Sequence, residues 1–199
     1  MTGFISGFFL GLSLILAIGA QNAFILKQGL RQQHVFILCL ICALSDAVLI
    51  IIGVFGFSLA ISTLPSVESF ARYAGAIFLL VYGARSFYVA FNRNDALVES
   101  KVPNISLAPA VLTCLAFTWL NPHVYLDTLL LLGSVSTQYP EEQYQFALGA
   151  AIASFVFFFS LGYGARLLAP IFDKPKAWKV LEFVIGSIMC LIAISLVFY

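Results

Sequence analysis

The sequence predicts an all-α polytopic membrane protein of six transmembrane helices, and three observations carry that prediction. Of 199 residues, 62% are hydrophobic and only 10% charged, whereas an ordinary soluble domain is about 25% charged. The apolar residues stand in long blocks, giving a mean hydropathy of +1.03. Six blocks reach the length of about 20 residues that crosses a bilayer as a helix. They cover roughly residues 3–26, 35–61, 68–91, 107–132, 144–169 and 178–198. What lies between them is too short for a soluble domain, so residues 1–199 read as one transmembrane domain surrounded by lipid. A net charge of +1, with no basic patch, argues against a nucleic-acid partner.

In the first block no Lys or Arg precedes Lys27 and the apolar run is full length. A secretory signal needs a basic start and a short apolar core, so this block reads as a retained helix. Gly3, Gly7 and Gly11 make two overlapping GxxxG steps. Small residues let helices approach closely in lipid, so this face suits helix pairing, including a homodimer. Gly19-Ala20-Gln21-Asn22 then interrupts the helix. Its amides can bind a substrate carboxylate or ammonium, or simply satisfy exposed backbone where the helix ends.

In the second block, Cys39, Cys42, Asp46, Gly53, Gly56 and Ala60 fall on one heptad stripe that only Leu49 breaks. The other faces are Ile, Leu, Val and Phe, so the small and polar stripe looks into the bundle, and Asp46 with it. Cys39 and Cys42 form a CxxC. A redox role needs an exposed thiol of low pKa, and no proline or cation stands between them. Packing is the expected role, with a membrane thiol–disulfide carrier as an alternative function. The third block ends near Arg85. The polar stretch about 92–106, with Arg93, Asp95, Glu99 and Lys101, separates two sets of three helices.

The fourth block carries Asn121-Pro122, His123 and Asp127. Proline removes a backbone donor and clashes with the carbonyl one turn earlier. In hydrocarbon such a break persists only where neighbours satisfy the freed groups. An ionisable side chain inside a span is a functional-site hypothesis by default. Asp127 is expected near the outer end of its helix and Asp46 near the membrane middle or in the cytoplasmic half, which would make two stations for a cation. The alternative is a structural ion pair with Arg85 or Arg166. His123 and Asp127 stand at i and i+4, where they could pass a proton.

The fifth and sixth blocks echo earlier ones. Ser45/Gly53 matches Ser154/Gly162 in spacing, and Asn22 can be laid on Asn121, Gly75 on Gly186. Three helices per half would make the halves inverted, about 1–91 and about 107–199. Inverted repeats with broken helices are hallmarks of secondary transporters. Of ten Lys and Arg, nine (Lys27, Arg31, Arg85, Arg93, Lys101, Arg166, Lys174, Lys176, Lys179) fall on one side, and Arg72 alone on the other. The basic side is expected in the cytoplasm. Nothing pairs a nucleophile with a base, and two distant histidines make no metal cage. No enzyme, metal or cofactor is expected.

GAQNAFILKQG (Gly19–Gly29) and WLNPHVYLDT (Trp119–Thr128), with Ala43–Gly53 between them, resemble the lysine/arginine exporter (LysE) family, and most closely its arginine exporter branch. The likeness runs over nearly the whole chain, and two long motifs at the right separation are specific. It implies export of L-arginine, or of L-lysine or an analogue such as canavanine, from the bacterial cytoplasm across the inner membrane. It lays the family's aspartates on Asp46 and Asp127 and its Asn-Pro on Asn121-Pro122. The family commonly has proline where Ala20 stands, so the first break is expected to be milder here. Moving a positive charge outward against an inside-negative potential costs about 2.3 kcal/mol per 100 mV. Exchange for a proton would cancel that charge, with an inward-facing aspartate as exchanger. A non-transporting membrane assembly protein is the remaining alternative.

Overall fold

The computed structural model describes residues 1–16, 19–92, 106–172 and 175–198, with no side chains considered at 57–68 and 175. The expected linker charges Arg93, Asp95, Glu99 and Lys101 lie outside the described residues. Every regular element among the described residues is helical: α1 Thr2–Ile15, α2 Ala20–Leu30, α3 Val35–Gly56, α4 Ser69–Asn92, α5 Leu107–Trp119, α6 Pro122–Ser136, α7 Gln143–Phe172 and α8 Pro175–Phe198. Helices α3, α4, α7 and α8 are each long and apolar enough to cross a membrane. Two bent pairs, α1 with α2 at 82° and α5 with α6 at 58°, are each long and apolar enough when taken together, which brings the number of spans to as many as six. The first bend is the sharper one, contrary to the expectation drawn from Ala20. Proline is evidently not needed there, since Gly19 takes an extended conformation ahead of α2.

Helical backbone continues from α3 into α4, broken at Gly56. Leu49 and Ala71 nevertheless share one small apolar cluster. An unbroken helix would hold them about 33 Å apart at its rise of 1.5 Å per residue. The chain therefore turns back, and α4 runs antiparallel to α3. The turned-in stripe of α3 is the expected one: Cys39 and Cys42 are fully buried and Asp46 is 5% exposed, while Phe36, Leu44, Val48, Ile51 and Phe55 face outward. Leu49, the apolar member of the stripe, is buried with them.

The glycine stripe of α1 lies against α7. A Cβ on Gly3 would meet Glu142, one on Gly7 the backbone of Phe146, and one on Gly11 Ala150. The steps match residue for residue, so α1 and α7 run parallel in close contact. A homodimer through Gly3, Gly7 and Gly11 is thereby overturned, because the same chain covers that face.

Two contacts fix the ends of the bundle. At one end Glu142 accepts from Met1 N at 2.7 Å and from Thr2 Oγ1 at 3.2 Å. These and a bond from Gly3 N hold the Glu142 carboxyl below the usual carboxylate range, the Met1 ammonium contributing most. At the other end Arg31 lies over the Trp178 ring, its guanidinium 5.5 Å from the centroid. Trp178 opens α8, and Glu142 immediately precedes α7. Met1 and Arg31 therefore lie at opposite ends, and the bent pair α1–α2 crosses completely. Lys27, expected in the first loop, is instead inside α2 and 7% exposed.

Candidate functional site

Both helix breaks open onto one cavity of about 500 Å³, walled by all eight helices. At the first break Asn22 Nδ2 donates to the Ile15 carbonyl at 2.8 Å, tying the start of α2 to the end of α1. At the second, His123 N would donate to the Trp119 carbonyl in a continuous helix. It donates instead to Asn121 Oδ1 at 3.1 Å. The Tyr125 hydroxyl takes over the Trp119 carbonyl at 2.6 Å. Pro122 sits in the first turn of α6, where its missing N–H costs nothing. Each break thus satisfies backbone with its own asparagine, as a break in an apolar medium must.

Downstream, Leu126–Leu132 winds as a π-helix. Such wide turns are rare and cluster at functional sites. This one carries Asp127 and Thr128, whose hydroxyl donates to the Val124 carbonyl at 2.6 Å. Nothing in the sequence signalled it.

Of the residues singled out from sequence, Gly19, Gln21, Asn22, Asp46, Asn121, His123 and Asp127 all line this cavity. Pro122 is buried at the break and is not in the wall. Asp46 lies halfway along α3, deep in the site, and accepts from Ser154 Oγ on α7 at 2.8 Å. Asp127 is less buried, and exposed His123 and Ser195 mark the mouth. The two acids therefore line one chamber at different depths. Neither takes part in an ion pair among the described residues. The alternative pairing with Arg85 or Arg166 is not formed; Arg166 lies over the Tyr163 ring at 4.9 Å. No hydrogen bond joins His123 to Asp127 among the described residues, though the two are close enough to interact electrostatically.

Away from the mouth the chamber is sealed in two layers. Phe78 and Phe117 form part of its wall. Phe117 packs on Phe78 and Tyr82 at 4.9 Å each, and on Phe24 at 5.3 Å. Behind Tyr82 stands Lys27, 5.5 Å from the ring centroid. Lys27 Nζ meets Glu182 Oε1 at 2.7 Å and Oε2 at 2.8 Å, and Arg31 reaches Glu182 at 3.5 Å. Glu182 is 1% exposed, and with Asp46 it makes two deeply buried acids among the described residues; the sequence reading missed it. Its signal was partly available: Glu182 sits a few residues inside the sixth apolar block, and Lys27 directly follows the first, at the same end of the bundle.

The CxxC is not a unit. Cys39 Sγ donates to the Phe158 carbonyl at 3.2 Å, and Cys42 Sγ lies 3.2 Å from Cys114 Sγ on α5. All three are fully buried, out of reach of an attacking thiolate. Among the described residues no cluster of His, Cys, Asp and Glu could hold a metal.

The profile of the family described as LysE type translocator matches residues 12–199. The arginine exporter protein ArgO of Pectobacterium carotovorum subsp. carotovorum (strain PC1) is 41% identical over 194 residues, spanning 97% of this chain and 95% of that protein. Its counterpart in Escherichia coli (strain K12) is 41% identical over 194 residues, 97% of this chain and 92% of its own. The ArgO protein of Klebsiella pneumoniae (strain 342) is 40% identical over 196 residues, 98% and 93%. No solved structure matches the chain.

Proposed function

We propose, from the premise that this chain belongs to the LysE type translocator family, that it is a secondary exporter of L-arginine or a closely related basic amino acid such as L-lysine or canavanine. It is a multi-pass protein of the bacterial inner membrane. The ArgO relatives are arginine exporters by name, and each is matched over nearly its whole length. One observation carries the reading of the site. Asp46 is a buried carboxyl that accepts from the Ser154 hydroxyl, in the wall of a chamber that also contains Asp127 and that, among the described residues, no Lys or Arg lines. A buried charge without a partner is costly. A guanidinium or ammonium brought by the cargo supplies that partner. The volume suits a small-molecule ligand.

Asp46 or Asp127 then acts as the exchanger. As carboxylates the two hold the cationic cargo; protonation of one of them from the far side releases it. One proton inward per cation outward leaves no net charge to move against the potential, which would otherwise cost about 2.3 kcal/mol per 100 mV. With the Arg31 end in the cytoplasm, the double seal of aromatic rings and the Lys27–Glu182 pair closes the inner side, and the mouth by His123 and Ser195 faces outward.

The pairing of the two halves also supports an inverted repeat. The offset that carries Asn22 onto Asn121 carries Gly29 onto Thr128. In the bundle Gly53 packs on the Thr128 carbonyl, and Gly162 packs on Gly29. The two contacts are images of each other, α3 on α6 and α7 on α2.

Efflux of labelled arginine from proteoliposomes tests the coupling. An imposed gradient, acidic outside the face that receives arginine, should accelerate efflux several-fold. Indifference to that gradient would defeat the exchange mechanism while leaving export itself standing.

A further inference from the structure

The exchange mechanism needs one acid to carry the proton, and the chamber holds two. We propose that Asp46 carries it, and that the buried Ser154 hydroxyl is the positioning group that lets Asp46 change protonation inside the bundle. This assignment rests on the exporter reading above and adds to it the identity of the exchanging acid and of its switchable partner.

The two acids differ in what meets their charge once cargo has left. Asp127 is half-buried toward the mouth, with His123 close enough to interact with it, so its carboxylate keeps some solvation in the empty chamber. Asp46 is 5% exposed in the chamber wall. A buried carboxylate left with neither cation nor water takes up a proton instead. An O–H bond then forms on Asp46 as its ion pair with the departing guanidinium or ammonium breaks, and that proton leaves when the next cation arrives. Such a switch leaves no polar group unsatisfied only if the hydrogen-bond partner suits both forms. Ser154 Oγ stands 2.8 Å from Asp46 Oδ2, and Ser154 is fully buried on α7. A hydroxyl has one donor and two acceptor lone pairs. It donates to the carboxylate. Toward the acid it turns to accept the new O–H, and its own proton swings to the carbonyl four residues back in the helix, that of Ala150. Glu182 is the contrast: Lys27 and Arg31 are donors only, which fixes it as a carboxylate. Other titratable groups near Asp46 are few. Cys42 stands one turn back on α3, with Cys114 of α5 against it at 3.2 Å, and α6 brings His123 and Asp127 to the same chamber. Among the described residues, α1, α2, α4, α7 and α8 add none to the chamber wall.

The test is the pH dependence of labelled L-arginine binding to purified full-length protein, wild type against Ser154→Ala and Ser154→Thr. In the wild type, affinity should fall as pH falls, because a proton on Asp46 displaces the cation. The hydroxyl holds the carboxylate more strongly than the acid, by the difference between a charge-assisted and a neutral hydrogen bond. Ser154→Ala should therefore move the midpoint of that fall to higher pH by about one unit. Ser154→Thr keeps a hydroxyl and should return the midpoint to that of the wild type. A merely structural serine would weaken binding at every pH and leave the midpoint where it was. An unmoved midpoint in Ser154→Ala, or an equal displacement in Ser154→Thr, overturns the inference and leaves the exporter reading in place. So does loss of all binding in Ser154→Ala, which would put the hydroxyl on the cargo or in the frame. If wild-type affinity is the same at every pH, the exchange mechanism fails and takes this inference with it; if the wild type binds no arginine at all, the exporter reading fails as well.

Discussion

Asp46 and Glu182 are almost equally buried, at 5% and 1% exposed, yet their surroundings are opposite. Glu182 lies at the sealed end with Lys27 doubly bound to it and Arg31 beyond. Asp46 lines the chamber and accepts from the Ser154 hydroxyl, with no cation paired to it among the described residues. Burial alone therefore does not mark a functional acid. A buried carboxylate already matched by cations is part of the frame. On the proposed reading, one with a neutral partner and space beside it is where an incoming cation finds its counter-charge. Breaking a buried ion pair by removing one partner is strongly destabilising, so the two acids should fail in different ways when replaced.

The largest effect is expected at the chamber. Asp46→Asn and Asp127→Asn keep shape and remove charge, and each should cut arginine export by about two to three orders of magnitude, the equivalent of a lost buried charge pair. Both variants should still insert and purify normally. Wild-type flux through either would remove that acid from the exchange. At the sealed end the order reverses. Glu182→Gln leaves the Lys27 ammonium buried beside another cation and should destabilise the fold by about 3–5 kcal/mol, read as lower yield and melting temperature in detergent. Adding Lys27→Met should restore much of that stability. A Glu182→Gln protein that is fully stable but inactive would erase the distinction, because Glu182 would then belong with the cargo acids. The smallest effect is at Glu142, a partly exposed acid with partners. Its carboxyl is held low by the Met1 ammonium and the Gly3 and Thr2 donors. A depressed native pKa stabilises above the unfolded carboxylate range and is lost as pH falls through the depressed value. The melting temperature should therefore drop slightly more on acidification in the wild type than in Glu142→Gln, and identical profiles would show the contact to be inert.

Much of this was legible along the chain. Hydropathy alone located the crossings, and Asn121-Pro122 and Gly19 marked where two of them bend. The stripe on α3 oriented Asp46 inward because the opposite faces are Phe, Leu and Ile, which only lipid accepts. Other features were not legible. The π-helix at Leu126–Leu132 has no composition signal: its leucine-rich run reads like any other apolar helix. Lys27 read as a loop charge, since a lysine after an apolar run normally ends a span. Its burial depends on Glu182, more than 150 residues away in sequence.

The sequence by itself determined how many times the chain crosses, where it breaks and which acids lie inside, because solvation by lipid and the missing N–H of proline act on each segment locally. Only the tertiary structure decided that Asp46 and Asp127 share a chamber, that Glu182 is neutralised by Lys27, and that Gly3, Gly7 and Gly11 are covered by α7. Those outcomes depend on how helices rotate and slide against one another, which is set by packing the whole bundle at once.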